Sequence, residues 1–117
     1  AKELAQACGG QALPRDLAEQ QEFDVLIHAT PLGMYPHPDG CFFEDHIPGQ
    51  IVFDMVYRPL ETRLLKRARE QGKTVISGLE MLIEQATRQF EIWTGIEAPR
   101  AAMERAARRA LELAGQE

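Results

Sequence analysis

Cysteine is scarce in this chain: Cys8 and Cys41 stand in unlike contexts among 117 residues and imply no disulfide framework. No apolar run approaches the roughly 20 residues that a membrane-spanning helix needs, and the first residues carry no signal-peptide pattern. Basic charge is also short. Lys and Arg number 13 against 18 Asp and Glu, a net charge of −5, which argues against broad contact with nucleic acid or an anionic membrane. Missing too is any Gly-x-Gly-x-x-Gly, the phosphate-cradling turn of dinucleotide-binding sheets. These absences describe a reduced, cytoplasmic protein with no nucleic-acid or membrane partner.

What is present is the composition of a globular chain, 44% hydrophobic and 26% charged, long enough for one small domain. Residues 1–8 are helix formers stopped by Gly9-Gly10, so the chain starts inside a helix, an odd start for a complete protein. Gln11-Ala12-Leu13 reads as a very short strand, and Pro14 opens a short helix over 15–20. The run Phe23-Asp24-Val25-Leu26-Ile27-His28-Ala29 is rich in β-formers and almost continuously apolar, the pattern of a strand covered on both faces. Residues 29–50 hold four prolines and three glycines, which exclude a helix or central strand and leave a long loop of the functional or disordered kind.

A strand over 51–57 follows, then a helix over 63–71 capped by Thr62, with Leu64, Leu65 and Ala68 inward. Lys73-Thr74-Val75-Ile76 is the next strand. Ser77 sits where an N-cap belongs and Glu80 stands three residues on, a capping box for the helix 78–94. Leu79, Ile83, Ala86, Phe90 and Trp93 share one stripe of that helix. A last helix, 99–114, carries a thin stripe of Ala102, Ala106, Ala110 and Leu113, suited to weak packing or to a partner. Strands alternating with helices predict an α/β fold with a parallel sheet and right-handed crossovers.

Three segments carry a resemblance: His28-Ala29-Thr30-Pro31-Leu32-Gly33-Met34, Asp54-Met55-Val56-Tyr57-Arg58-Pro59, and Gly78-Leu79-Glu80-Met81-Leu82-Ile83-Glu84-Gln85-Ala86. In order and spacing they resemble successive signatures of the shikimate dehydrogenase family, and Phe90-Glu91-Ile92-Trp93-Thr94-Gly95 extends the match. The resemblance implies that residues 1–117 are the C-terminal part of an NADP-binding domain. The fold is then a partial Rossmann-like, doubly wound sheet with flanking helices, lacking its first two strands and keeping strands three to six. It implies an NADP-dependent oxidoreductase that interconverts 3-dehydroshikimate and shikimate in chorismate and aromatic amino-acid biosynthesis. By the same resemblance Thr30, Met55 and Gly78 face the cofactor, and Tyr57 and Gln85 reach the substrate.

The chain departs from the family pattern at several points. His28 replaces the usual Asn, which alters the hydrogen bonding of the following loop, and Glu80 replaces a Gly, which the capping box accommodates. The family's catalytic Lys and Asp and its 2′-phosphate-gripping turn match no segment here, so no catalytic residue is expected in this chain and no activity from it alone. Its expected partners are the missing N-terminal domain and, through the apolar edge at 23–28, a second copy of the chain, the alternative being a rearrangement of residues 1–20 over that edge. The alternatives are a quinate/shikimate dehydrogenase using NAD and a non-catalytic metabolite-binding module of the same fold.

Other features carry less. His28, His37 and His46 recur at a spacing of nine with Cys41 between them, but without the close ligand pairs that zinc sites favour. Three loop-side histidines in solvent, and a surface or half-buried Cys41 thiol, are the expectation. The run Arg100, Arg105, Arg108 and Arg109, interleaved with Glu104 and Glu112, reads as a solvated helix face.

Overall fold

The computed structural model describes residues 1–114. Helices α1 (Lys2–Cys8) and α2 (Arg15–Glu19) lead into strand β1 (Phe23–His28). A long irregular segment connects to β2 (Gly49–Asp54), followed by α3 (Arg63–Glu70), β3 (Thr74–Ile76), α4 (Gly78–Thr94) and α5 (Arg100–Ala114). The strands form a parallel sheet in the order β1-β2-β3, with Val25 opposite Ile51 and Val52 opposite Val75. The expected α/β class with a parallel sheet is what the chain adopts.

Among the described residues the sheet has three strands, not the four expected. Residues 11–13, hemmed between Gly9-Gly10 and Pro14, form no strand, and Pro14 is the N-cap of α2 rather than its first residue. The second strand stops at Asp54 instead of running on to Tyr57. The cause is local: the Asp54 carboxylate accepts the backbone N–H of Val56 at 3.0 Å, a turn that draws the chain out of the ladder.

The core lies on one face of the sheet. Val52 there meets Leu64, Leu65 and Ala68 of α3, as the helix pattern predicts. The long loop completes this core instead of standing in solvent, burying Cys41, Phe43 and Ile47. Gln71, at the end of α3, ties the loop down: its side-chain oxygen accepts Ile47 N–H at 3.1 Å and its amide donates to the Asp45 carbonyl at 2.7 Å.

The other face is thinly covered. Val25 and Ile27 of β1 remain 47% and 58% exposed, so this strand is not covered on both faces, and its high apolar content is unspent. β1 is also an edge of the sheet. The Cα radius of gyration, 16.3 Å, exceeds the roughly 13 Å of a compact domain this long, consistent with helices that pack on little.

Helix α4 starts as expected. Ser77 Oγ accepts Glu80 N–H at 3.3 Å while Glu80 accepts the Ser77 N–H at 2.7 Å, and left-handed Gly95 ends the helix. Its buried stripe is Leu79, Ile83 and Thr87. Trp93, expected inside, is 78% exposed, because nothing among the described residues covers the last turn. On α5 the half-buried residues are Met103, Glu104, Ala107, Leu111 and Ala114, while Ala102, Ala106, Ala110 and Leu113 face solvent. The packed stripe is thus rotated by one residue, toward the larger Met and Leu side chains that offer more apolar area against α4.

Candidate functional site

Ligands of open parallel sheets sit beyond the carboxyl ends of the strands, and this sheet has a cleft there of about 520 Å³. Thr30 and Met55 line it from the ends of β1 and β2, and Tyr57, Arg58, Met34 and Tyr35 complete its walls. Pairing continues past the strands to hold the first two side by side: Met55 N–H donates to the His28 carbonyl at 3.0 Å. Met34, Tyr35, Met55 and Tyr57 are each about two-fifths exposed. They offer a largely apolar wall, as a flat ring requires, with the Thr30 hydroxyl as a nearby hydrogen-bonding group.

Three of the five expected site residues, Thr30, Met55 and Tyr57, therefore meet in one cleft. Gly78 lies behind it, and its need for glycine is steric: a Cβ there would stand 2.4 Å from the Val56 carbonyl oxygen and 2.7 Å from that of Met55. The helix start is thereby pressed against the backbone that carries Met55. Gln85 is elsewhere, exposed on α4 in a separate groove with Phe53, Ile76, Met81 and Arg100.

Beneath the cleft runs a buried polar chain that no sequence pattern announced. Asp54, 0% exposed, accepts from His28 Nδ1 at 3.0 Å, from Val56 N–H and from the Thr62 hydroxyl at 2.5 Å. Thr62 in turn accepts Leu65 N–H as the N-cap of α3. On its far side, His28 Nε2 is hydrogen-bonded to Thr30 Oγ1. His28 is thus buried and fully engaged, not a loop-side histidine in solvent; strand β1 points it under the loop that the Thr30 backbone begins. His37 and His46 are exposed as expected, and His46 pairs with Glu22 at 2.7 Å.

Cys41 is buried too, against the expected surface or half-buried thiol, because its loop folds into the core. Its thiol donates to the Phe43 carbonyl at 3.0 Å, and burial pushes its pKa up, so it is a poor nucleophile. Among the described residues no group of three His, Cys, Asp or Glu side chains is placed to hold a metal ion, and no helix is long and apolar enough to cross a membrane.

Known proteins share this pattern. A family model described as the shikimate 5'-dehydrogenase C-terminal domain matches residues 78–108. A shikimate dehydrogenase (NADP(+)) of Moorella thermoacetica is 41% identical over 95% of the chain. Over most of its length the chain is similar to the C-terminal portion of shikimate dehydrogenases.

It spans 42% of the length of that Moorella relative. Solved members of the family share the fold. A chorismate mutase/shikimate 5-dehydrogenase fusion protein from Clostridium acetobutylicum superposes with a TM-score of 0.81 at 28% identity, covering 94% of this chain and 43% of that one. The Thermus thermophilus shikimate 5-dehydrogenase in complex with NADP(H) and shikimate gives 0.73 at 38% identity, over 95% of this chain and 42% of that one. The family model covers Gly78 and Gln85 but not Thr30, Met55 or Tyr57. Arg58 and Tyr35, which the sequence reading gave no role, stack at the cleft mouth with the guanidinium 5.6 Å from the ring centre. The Arg-Pro pair after Tyr57 was the only signal for Arg58, and Tyr35 had none.

Proposed function

We propose that this chain forms the nicotinamide-facing part of an NADP-dependent oxidoreductase that interconverts 3-dehydroshikimate and shikimate. The observation that carries the reading is the convergence of Thr30, Met55 and Tyr57 on one cleft at the carboxyl ends of two parallel strands. Its relatives bear the name shikimate dehydrogenase (NADP(+)), and one is solved with both NADP(H) and shikimate. The residues present fit the nicotinamide end of the cofactor, an apolar wall beside one hydrogen-bonding hydroxyl. They do not include a Gly-rich turn for its phosphates.

In this reading the nicotinamide, when bound, supplies the hydride. Met55 gives its ring an apolar face and excludes water there. Gly78 sets the height of that wall by its contact with the Met55–Val56 backbone. Tyr57 offers a phenolic hydroxyl to a hydroxylated substrate, and Gln85 approaches from α4 once the rest of the protein closes the gap. The proton-transfer groups belong to an N-terminal domain, which this chain needs as its covalent partner. The protein works in the cytoplasm, in chorismate and aromatic amino-acid biosynthesis.

The test is NADPH oxidation by the full-length protein that contains this segment. Turnover dependent on 3-dehydroshikimate is expected, with none from residues 1–117 alone; a full-length protein inert toward this pair overturns the reading. Val25, Ile27 and the unpaired edge of β1 further support self-association of the isolated chain. Light scattering should return a dimer or larger, and Ile27→Lys a monomer. A wild-type monomer would sink the edge contact.

A further inference from the structure

We propose that His28 is a positioning residue that makes Thr30 a one-way hydrogen-bond acceptor, so that the cleft selects a ligand group bearing N–H or O–H at this point. The ligand half of the proposal rests on the nicotinamide reading above. The argument follows protons along the buried chain. The Thr62 hydroxyl accepts from Leu65 N–H, so its own proton goes to Asp54. The Val56 N–H also points at Asp54. A carboxylate only accepts, so the partner His28 Nδ1 at 3.0 Å must donate.

We take the ring as neutral, with one N–H. With that proton on Nδ1, Nε2 is a bare acceptor, and its partner is Thr30 Oγ1. The Thr30 hydroxyl must therefore spend its single proton inward, on His28. One of its lone pairs already accepts Leu32 N–H at 3.3 Å. What remains on this cleft-lining residue is one lone pair and no proton. A carboxylate or phosphate oxygen placed there meets repulsion, whereas an amide N–H₂ or a hydroxyl proton is held. The carboxamide of a nicotinamide is such a donor. An Asn, with a shorter side chain and no ring, could not bridge Asp54 and Thr30 through two opposed nitrogens.

Two measurements test this, one independent of the cofactor. In ¹⁵N-labelled protein at neutral pH, long-range ¹⁵N–¹H correlations of the His28 ring should report the proton on Nδ1 and a bare Nε2. A proton on Nε2, alone or on both nitrogens, overturns the positioning role. The second compares NADP⁺ with its 3-acetylpyridine analogue, whose methyl ketone has no N–H, by calorimetry on the full-length protein. NADP⁺ should bind about three- to tenfold more tightly, the range one such hydrogen bond supports. Thr30→Val should abolish that preference and Thr30→Ser restore it. A preference that survives Thr30→Val overturns the selection. If neither dinucleotide binds, the nicotinamide reading and the ligand half fall together, and the ring measurement alone decides the role of His28.

Discussion

The two faces of the sheet are built from similar strand residues and have opposite fates. On the α3 face, Val52 and Leu65 are fully buried, and the polar Asp54 and Thr62 are buried with them because each hydrogen-bonds the other. On the opposite face, Val25 and Ile27 stay open and α4 leaves Trp93 in solvent. Strand sequence alone did not set this difference. Coverage did: the 41–48 loop and α3 close one side, and among the described residues little closes the other.

Mutation should expose the contrast most strongly in the core. Leu65→Ala is expected to cost about 2–5 kcal/mol, transfer loss plus cavity, measured by urea unfolding of the isolated chain. Ile27→Ala, of like chemistry on the open face, should stay within about 0.5 kcal/mol when the chain is diluted below the concentration at which it self-associates. Equal losses would mean that the open face is covered in solution.

A smaller effect separates the two helix caps. Thr62→Val removes the α3 cap and leaves a buried carboxylate one donor short, at a cost of about 2–4 kcal/mol. Ser77→Ala removes a cap that water can replace, at about 1 kcal/mol. Should Ser77→Ala prove the more damaging, the buried polar chain is not what holds α3 to the sheet.

Much of this fold was legible beforehand. The capping box at Ser77, the Thr62 cap and the inward face of α3 each follow from spacing within one element, and each stands as read. The misreadings came where a residue's fate depends on a distant segment. Trp93 fits the α4 stripe, but no periodicity says whether a neighbour reaches the last turn. Cys41 and Phe43 sit among prolines and glycines, a loop signature that carries no hint of packing on α3. The cleft was readable only through the three family-like segments. His28 was noticed as a departure, and its bond to Asp54 needed the parallel register that sets these two residues side by side.

The smallest expected effect concerns acid. Backbone and hydroxyl of Ser77 both donate to the Glu80 carboxylate at 2.7 Å, and these bonds hold its pKa below the ordinary range. A carboxyl whose folded-state pKa is lowered stabilises the fold at pH values above its unfolded pKa, about 4.3. That contribution is lost as the pH falls through the lower, folded value. Glu80→Gln keeps an oxygen for the Ser77 N–H and gives up the charge. Unfolding midpoints followed from pH 6 to 3 should therefore converge for wild type and Glu80→Gln at the acid end, with wild type the more stable above about pH 5. Because Glu80 is exposed while Asp54 is sealed, a gap that instead persists at the acid end would show that Glu80 acts through its shape in the turn and not its charge. The solvent-facing cap of α4 would then resemble the buried cap of α3 more closely than their surroundings suggest.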